Sequence, residues 1–186
     1  MENKRVSVFG GSQTQPGEPA YEAAFKLGRL LGGAGYTILN GGYIGTMEAM
    51  SRGAAEVGGH IIGVTCDEIE AWRPVKPNRW ITEEWRFQSL RERIFTLIEN
   101  CDAALTLPGG VGTLTEALMM WNHLLTEAIQ PRPLIFIGKG WQTTIQTFIK
   151  AMGKYIPESQ RRWAVFSPTV EDAFRRLQEM LGNGKV

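Results

Sequence analysis

Ala103-Ala104-Leu105-Thr106-Leu107-Pro108-Gly109-Gly110-Val111-Gly112-Thr113-Leu114-Thr115-Glu116 reads as a short apolar strand, a glycine turn and the opening of a helix. The run Ala103–Leu107 is short and apolar, which suits a strand covered on both faces. From Leu114 the apolar residues Ala117, Leu118, Trp121, Leu124 and Leu125 recur at three- and four-residue spacing, the period of a helix. Between them, glycine allows positive φ and a close backbone approach, while the helix that follows offers unpaired N–H groups and the positive end of its dipole. Such a junction holds a phosphate.

The same unit recurs outward in both directions. Apolar runs at Arg5–Phe9, Tyr36–Leu39, His60–Val64, Leu134–Ile137 and Trp163–Phe166 predict further buried strands. Helical spacing links Tyr21, Ala24, Phe25, Leu27, Leu30 and Leu31; Met47, Met50 and Ala54; Leu90, Ile94, Leu97 and Ile98; Ile145, Phe148 and Ile149; and Val170, Phe174 and Leu177. Strictly alternating strands and helices predict an α/β chain: a single doubly wound, mostly parallel, Rossmann-like sheet with helices on both faces, because parallel connections need crossovers. No linker, repeat or low-complexity tract divides the chain, so residues 1–186 read as one nucleotide-binding domain. Cys66–Thr82, with Trp72, Pro74, Pro77 and Trp80, is the longest unpatterned piece and reads as an ordered loop over the site.

Composition narrows the function. Twenty basic residues against 19 acidic ones leave a formal charge of +1, so no whole-molecule field draws in nucleic acid or an anionic membrane. Any anion site must be local. Cys66 and Cys101 form no CxxC pair and lie far from His60 and His123, so no metal-ligand spacing arises; thiols of this kind suit a reducing compartment, and the chain reads as cytoplasmic, with no metal and no cofactor required. His60 and His123 read as structural. The apolar start Val6–Gly10 is too short for a signal-peptide core or a membrane span.

Three glycine turns follow predicted strands: Gly10-Gly11-Ser12, Gly41-Gly42-Tyr43-Ile44-Gly45 and Pro108–Thr113. In a parallel sheet these turns share the carboxyl edge, where ligands bind, so Gly11, Ser12, Gly41, Gly42, Gly45, Gly109, Gly110, Gly112 and Thr113 are the candidate phosphate- and nucleotide-binding residues. No GxxxxGK[ST] and no spaced GxGxxG with a downstream acid occurs, which argues against a P-loop triphosphatase and an NAD site. Thr113-x-x-Glu116 fits a capping box, and it fits equally a carboxylate held beside a bound sugar phosphate. Arg93, in Arg91-Glu92-Arg93, reads from local sequence as part of a solvated helix face. Trp72 and Trp80 interleave with Arg73, Lys76 and Arg79, and Trp85 follows. A base could stack on such a ring and a cation could reach a phosphate, but the segment reads mainly as aromatics sealing the loop onto the core or onto a second subunit while the cations are solvated.

Pro108-Gly109-Gly110-Val111-Gly112-Thr113-Leu114-Thr115-Glu116 resembles the PGGxGTxxE motif of the LONELY GUY (LOG) family, cytokinin riboside 5′-monophosphate phosphoribohydrolases that also carry the label lysine decarboxylase. Val8–Ser12 and Asn40–Met47 are similar to that family's first two turns, and the resemblance spans Val6 to Ile137. It implies that Glu116 and Arg93 are the catalytic pair that cleaves an N-glycosidic bond. The family's MxxRK motif falls on Leu90-Arg91-Glu92-Arg93-Ile94, so the arginine is retained while the methionine and lysine are replaced by Leu90 and Ile94. The resemblance further implies a homodimer whose partner completes the base pocket. The expected activity is hydrolysis of a nucleoside 5′-monophosphate to free base and ribose 5-phosphate; the alternative is a non-enzymatic carrier of a nucleotide or a phosphorylated cofactor of the molybdopterin type.

Overall fold

The computed structural model describes residues 3–183. Seven strands, β1 (Arg5–Phe9), β2 (Thr37–Asn40), β3 (His60–Cys66), β4 (Glu83–Phe87), β5 (Ala103–Thr106), β6 (Leu134–Ile137) and β7 (Val165–Ser167), form one sheet in the order β4-β3-β2-β1-β5-β6-β7. Every pairing is parallel. The connecting helices are α1 (Pro19–Gly33), α2 (Thr46–Ala55), α3 (Asp67–Trp72), α4 (Leu90–Glu99), α5 (Val111–Leu125), α6 (Lys139–Met152), α7 (Glu158–Arg161) and α8 (Val170–Asn183). This is the doubly wound α/β fold that the alternating pattern predicts.

Two apolar layers flank the sheet. Helices α1, α2 and α8 bury Leu27, Met50 and Leu177 against Val6, Val8, Ile38 and Leu105. On the other face α4, α5 and α6 bury Leu97, Met120, Trp121 and Ile145 against Phe9, Leu39, Val64 and Phe136. Alternate strand residues therefore serve opposite cores, which is why the central strands read as continuous apolar runs. The winding direction reverses between β1 and β5, since β1 leads through α1 to β2 on one side while β5 leads through α5 to β6 on the other. A crevice opens at the carboxyl end of such a pair.

Three elements, β4, α3 and the four-residue α7, depart from the expectation. β4, Glu83-Glu84-Trp85-Arg86-Phe87, is an additional strand at the sheet edge. Only Trp85 and Phe87 pack on the core, so an edge strand with charged alternate positions shows no apolar run. The segment Cys66–Thr82 is not one loop: Cys66 completes β3 and Asp67–Trp72 forms the six-residue α3. That helix buries no residue, so no stripe marks it in the sequence. The rest of the segment is pinned to the β2 turn by Asn78, whose backbone N–H and Nδ2 donate to the Gly42 carbonyl at 2.7 and 3.0 Å. Trp72 is not sealed onto the core but is 79% exposed.

Helices α1 and α2 touch backbone to backbone. A methyl group on Gly28 would overlap the Met50 carbonyl oxygen, and one on Gly53 the Phe25 carbonyl oxygen. Neither partner is a flexible side chain. Gly28→Ala or Gly53→Ala is therefore expected to lower stability by about 1–3 kcal/mol despite alanine's better helix propensity. A urea-denaturation midpoint that is unchanged or raised in both variants would contradict this packing.

Candidate active site at the carboxyl edge of the sheet

The crevice between β1 and β5 widens into a cavity of about 800 Å³, within the usual size of a small-molecule site. Its walls come from all three glycine turns. Helix α5 starts inside the glycine run: Gly110 is its N-cap, no side chain caps it, and Gly110, Val111, Gly112 and Thr113 line the cavity, so the first-turn N–H groups are left for a ligand there. Positions 110 and 112 have open space where a side chain would stand. Gly109 is different, because a methyl group there would strike the Thr113 hydroxyl and crowd the Gly11 backbone. The Gly11 N–H donates to the Pro108 carbonyl at 3.2 Å, and the Gly11 carbonyl accepts from the Thr46 N–H and hydroxyl at 2.9 and 2.8 Å, which locks the first turn to the other two.

Gly11, Ser12, Gly41, Gly109, Gly110, Gly112, Thr113, Arg93 and Glu116 all line this cavity. Gly42 and Gly45 do not. Both have positive φ, 76° and 72°, and turn the chain behind the wall. Gly42 donates to the Asn40 side chain at 2.8 Å, while Gly45 backs onto Gly11 and Ser12 so closely that any Cβ would overlap them.

Glu116 belongs to no capping box, because with Gly110 as N-cap it lies beyond the first turn. A capping box stands one helix earlier, where Ser89 and Glu92 cap α4 reciprocally. Thr113, Glu116, Ala117, Met120, Trp121 and Leu124 form the buried stripe of α5, whose first two members, Thr113 and Glu116, line the cavity. Its Oε1 accepts from Arg93 Nη1 at 3.2 Å. Arg93 and Glu116 are only 5% and 8% exposed, so Arg93 is not on a solvated face. Its Nε donates to the Val64 carbonyl at 2.8 Å, and a methyl group on Gly41 would overlap its guanidinium. The glycine at 41 thus makes room for the arginine.

Burial pushes the Glu116 carboxyl above its usual 4.5, and the charge and hydrogen bond of Arg93 partly counter that shift. Glu116 holds its proton more tightly folded than unfolded. Its protonation therefore favours folding at low pH, and that contribution is lost as pH rises through the folded pKa. Tyr43, also on the wall, bonds to Cys66 and Glu70 through its hydroxyl, and burial pushes its pKa to about 12, so it stays a neutral phenol.

Sequence reasoning did not single out Tyr43, Asn40 or the capping box at Ser89. Of these, only Ser89-x-x-Glu92 carried a local signal. Among the described residues no three His, Cys, Asp or Glu side chains converge as a metal site requires. A ¹³C-NMR titration should find the Glu116 midpoint above 4.5 in the native protein and higher still in Arg93→Met. A midpoint at or below 4.5, or one that falls on removing Arg93, would contradict the electrostatics described.

Three comparisons bear on this arrangement. A family model described as "possible lysine decarboxylase" matches residues 47–177. A probable cytokinin riboside 5′-monophosphate phosphoribohydrolase from Oryza sativa subsp. japonica is 32% identical over 95% of this chain and 72% of its own length. A cytokinin riboside 5′-monophosphate phosphoribohydrolase from Arabidopsis thaliana is 31% identical over 95% of this chain and 82% of its own. Among solved structures, the molybdenum cofactor binding protein of the phototrophic bacterium Rippkaea orientalis superposes with a TM-score of 0.77 over 97% of this chain and 99% of that one, at 18% identity, a likeness of fold. With the family model spanning most of the chain and the curated relatives nearly all of it, this protein belongs to the LOG family, whose model is described as possible lysine decarboxylase.

Proposed function

We propose that this protein hydrolyses the N-glycosidic bond of a nucleoside 5′-monophosphate, of the AMP or cytokinin riboside type, to free base and ribose 5-phosphate. The observation that carries the reading is a buried Arg93–Glu116 pair on the same cavity wall as the uncapped N-terminus of α5. Glu116 is five residues beyond Val111, about 7.5 Å along the helix axis, which suits a ribose 5-phosphate lying between them. In this reading the amides of the first turn and the Thr113 hydroxyl take the 5′-phosphate, and the Gly41 turn faces the ribose.

The reaction breaks the C1′–N bond and joins water oxygen to C1′, with one water proton passing to the departing base. Positive charge grows on the ribose ring as the base leaves. An ionised Glu116 stabilises that charge and positions the water, while Arg93 keeps the carboxylate ionised and aimed. Sequence kinship with the rice and Arabidopsis phosphoribohydrolases supports the same chemistry here.

The base side is the apolar part of the wall to which Leu90 and Ile94 contribute. We read the protein as a homodimer whose second copy covers this rim, a reading supported by the exposure of Trp72 and Val111 at 79% and 82%. Balanced charge supports a small-molecule partner rather than nucleic acid. Among the described residues no helix is long and apolar enough to cross a membrane. Two buried free thiols, Cys66 and Cys101, support a reducing, cytoplasmic setting.

A carrier of a nucleotide or phosphorylated cofactor is the second reading. Ile94, which brings no charge to the wall where the family motif has a lysine, favours it, as does the fold likeness to a molybdenum cofactor binding protein.

Incubation with a panel of nucleoside 5′-monophosphates, isopentenyl-AMP included, is expected to release free base. Glu116→Gln should reduce that release by at least about 10²-fold with the fold retained. A fully active Glu116→Gln protein would contradict the mechanism; no release from any monophosphate, with a phosphorylated ligand co-purifying, would favour the carrier.

A further inference from the structure

Among the described residues three charged side chains line the cavity, Arg73, Arg93 and Glu116, and two of them neutralise each other. Arg73 is left. Its backbone is fixed where α3 ends, with the N–H on the Ile69 carbonyl at 2.9 Å. From there the side chain reaches the first glycine turn, where Nη1 donates to the Ser12 hydroxyl at 3.2 Å. The guanidinium carbon lies 5.6 Å from the centre of the Trp72 ring.

These contacts leave one donor of the half-buried group, Nε, unsatisfied. Among the described residues no carboxylate pairs with Arg73, and its Nε is buried without a hydrogen-bond partner. A buried orphan donor on a full positive charge is costly unless something supplies acceptors. One hydroxyl uses one of five guanidinium N–H groups. A phosphate monoester offers oxygens that match the planar fork and a compensating negative charge. The turn that carries Ser12 is hydrogen-bonded to Pro108, immediately before the α5 glycine run, so Arg73 stands at the phosphate end of the cavity.

We propose that Arg73 is the cation of the phosphate subsite: it is held on Ser12 when the site is empty and turns its fork onto the phosphate dianion when the substrate enters. This rests on the reading that the α5 N-terminus receives a 5′-phosphate. Arg73 thereby selects monophosphates over uncharged nucleosides, a task the helix dipole alone performs weakly because it carries only a partial charge. It binds the part of the substrate that does not react, so its contribution falls on KM rather than on kcat.

The test compares native protein, Arg73→Gln and Arg73→Lys in two assays: steady-state base release, and calorimetric binding of inorganic phosphate. Arg73→Gln is expected to raise KM for the monophosphate and to weaken phosphate binding by roughly 10- to 100-fold, with kcat retained, and Arg73→Lys to recover part of both. If base is released and Arg73→Gln keeps the native KM and phosphate affinity, the Arg73 assignment is overturned while the hydrolase reading stands. If the native protein releases no base, the hydrolase reading falls and phosphate binding decides for Arg73: affinity lost in Arg73→Gln supports the assignment, and affinity retained in it, or absent from the native protein, overturns it.

Discussion

A guanidinium and a carboxylate are buried together where the central strands end, and much of the surrounding structure exists to hold them there. Desolvating either Arg93 or Glu116 alone would be expensive, and their mutual attraction offsets that only in a fixed geometry. The geometry comes from separate elements. α4 carries the arginine, β3 supplies the Val64 carbonyl that holds its Nε, α5 carries the glutamate, and the β2 turn presents a glycine, Gly41, because any side chain would occupy the guanidinium's place. Burial raises the affinity of Glu116 for protons and Arg93 works against that rise, so the pair is what makes an ionised carboxylate available in a buried place.

The glycines of the carboxyl edge divide into two tasks. Gly110 and Gly112 face open space, where a ligand can approach the α5 amides. Gly10, Gly42, Gly45 and Gly109 face protein, each having a neighbour within the volume of a would-be Cβ, and so weld three turns into one rigid rim. A phosphate bound at the α5 N-terminus and a sugar at Glu116 would both rest on that rim without reorganising it, which is how electrostatic preorganisation is achieved.

The central strands and the helices of both layers were legible because buried parallel strands write themselves as apolar runs and covering helices as stripes. β4 was not, since an edge strand alternates Glu84 and Arg86 with Trp85 and Phe87. α3 was not, since a short helix with no buried residue leaves no stripe. The site was legible in part. Glu116 could be read two ways from Thr113-x-x-Glu116, and only the start of α5 at Val111 decides against the cap. Arg93 looked like a surface cation from local sequence, which cannot show that β3 and α5 close over it, and only the resemblance to the family motif marked it as a site residue. Gly42 and Gly45 shared the composition of binding glycines but serve the chain's own turns. Arg73 showed in the sequence only as one of three cations among tryptophans that could reach a phosphate; the role proposed for it rests on a contact with Ser12, 61 residues away in sequence.

A crystal structure with ribose 5-phosphate bound tests the central assignment most directly. The phosphate should accept hydrogen bonds from the backbone amides of the first turn of α5, with the anomeric carbon facing Glu116 and the Arg93 pair intact. A phosphate seated away from that helix terminus, or an anomeric carbon out of reach of Glu116, would contradict it.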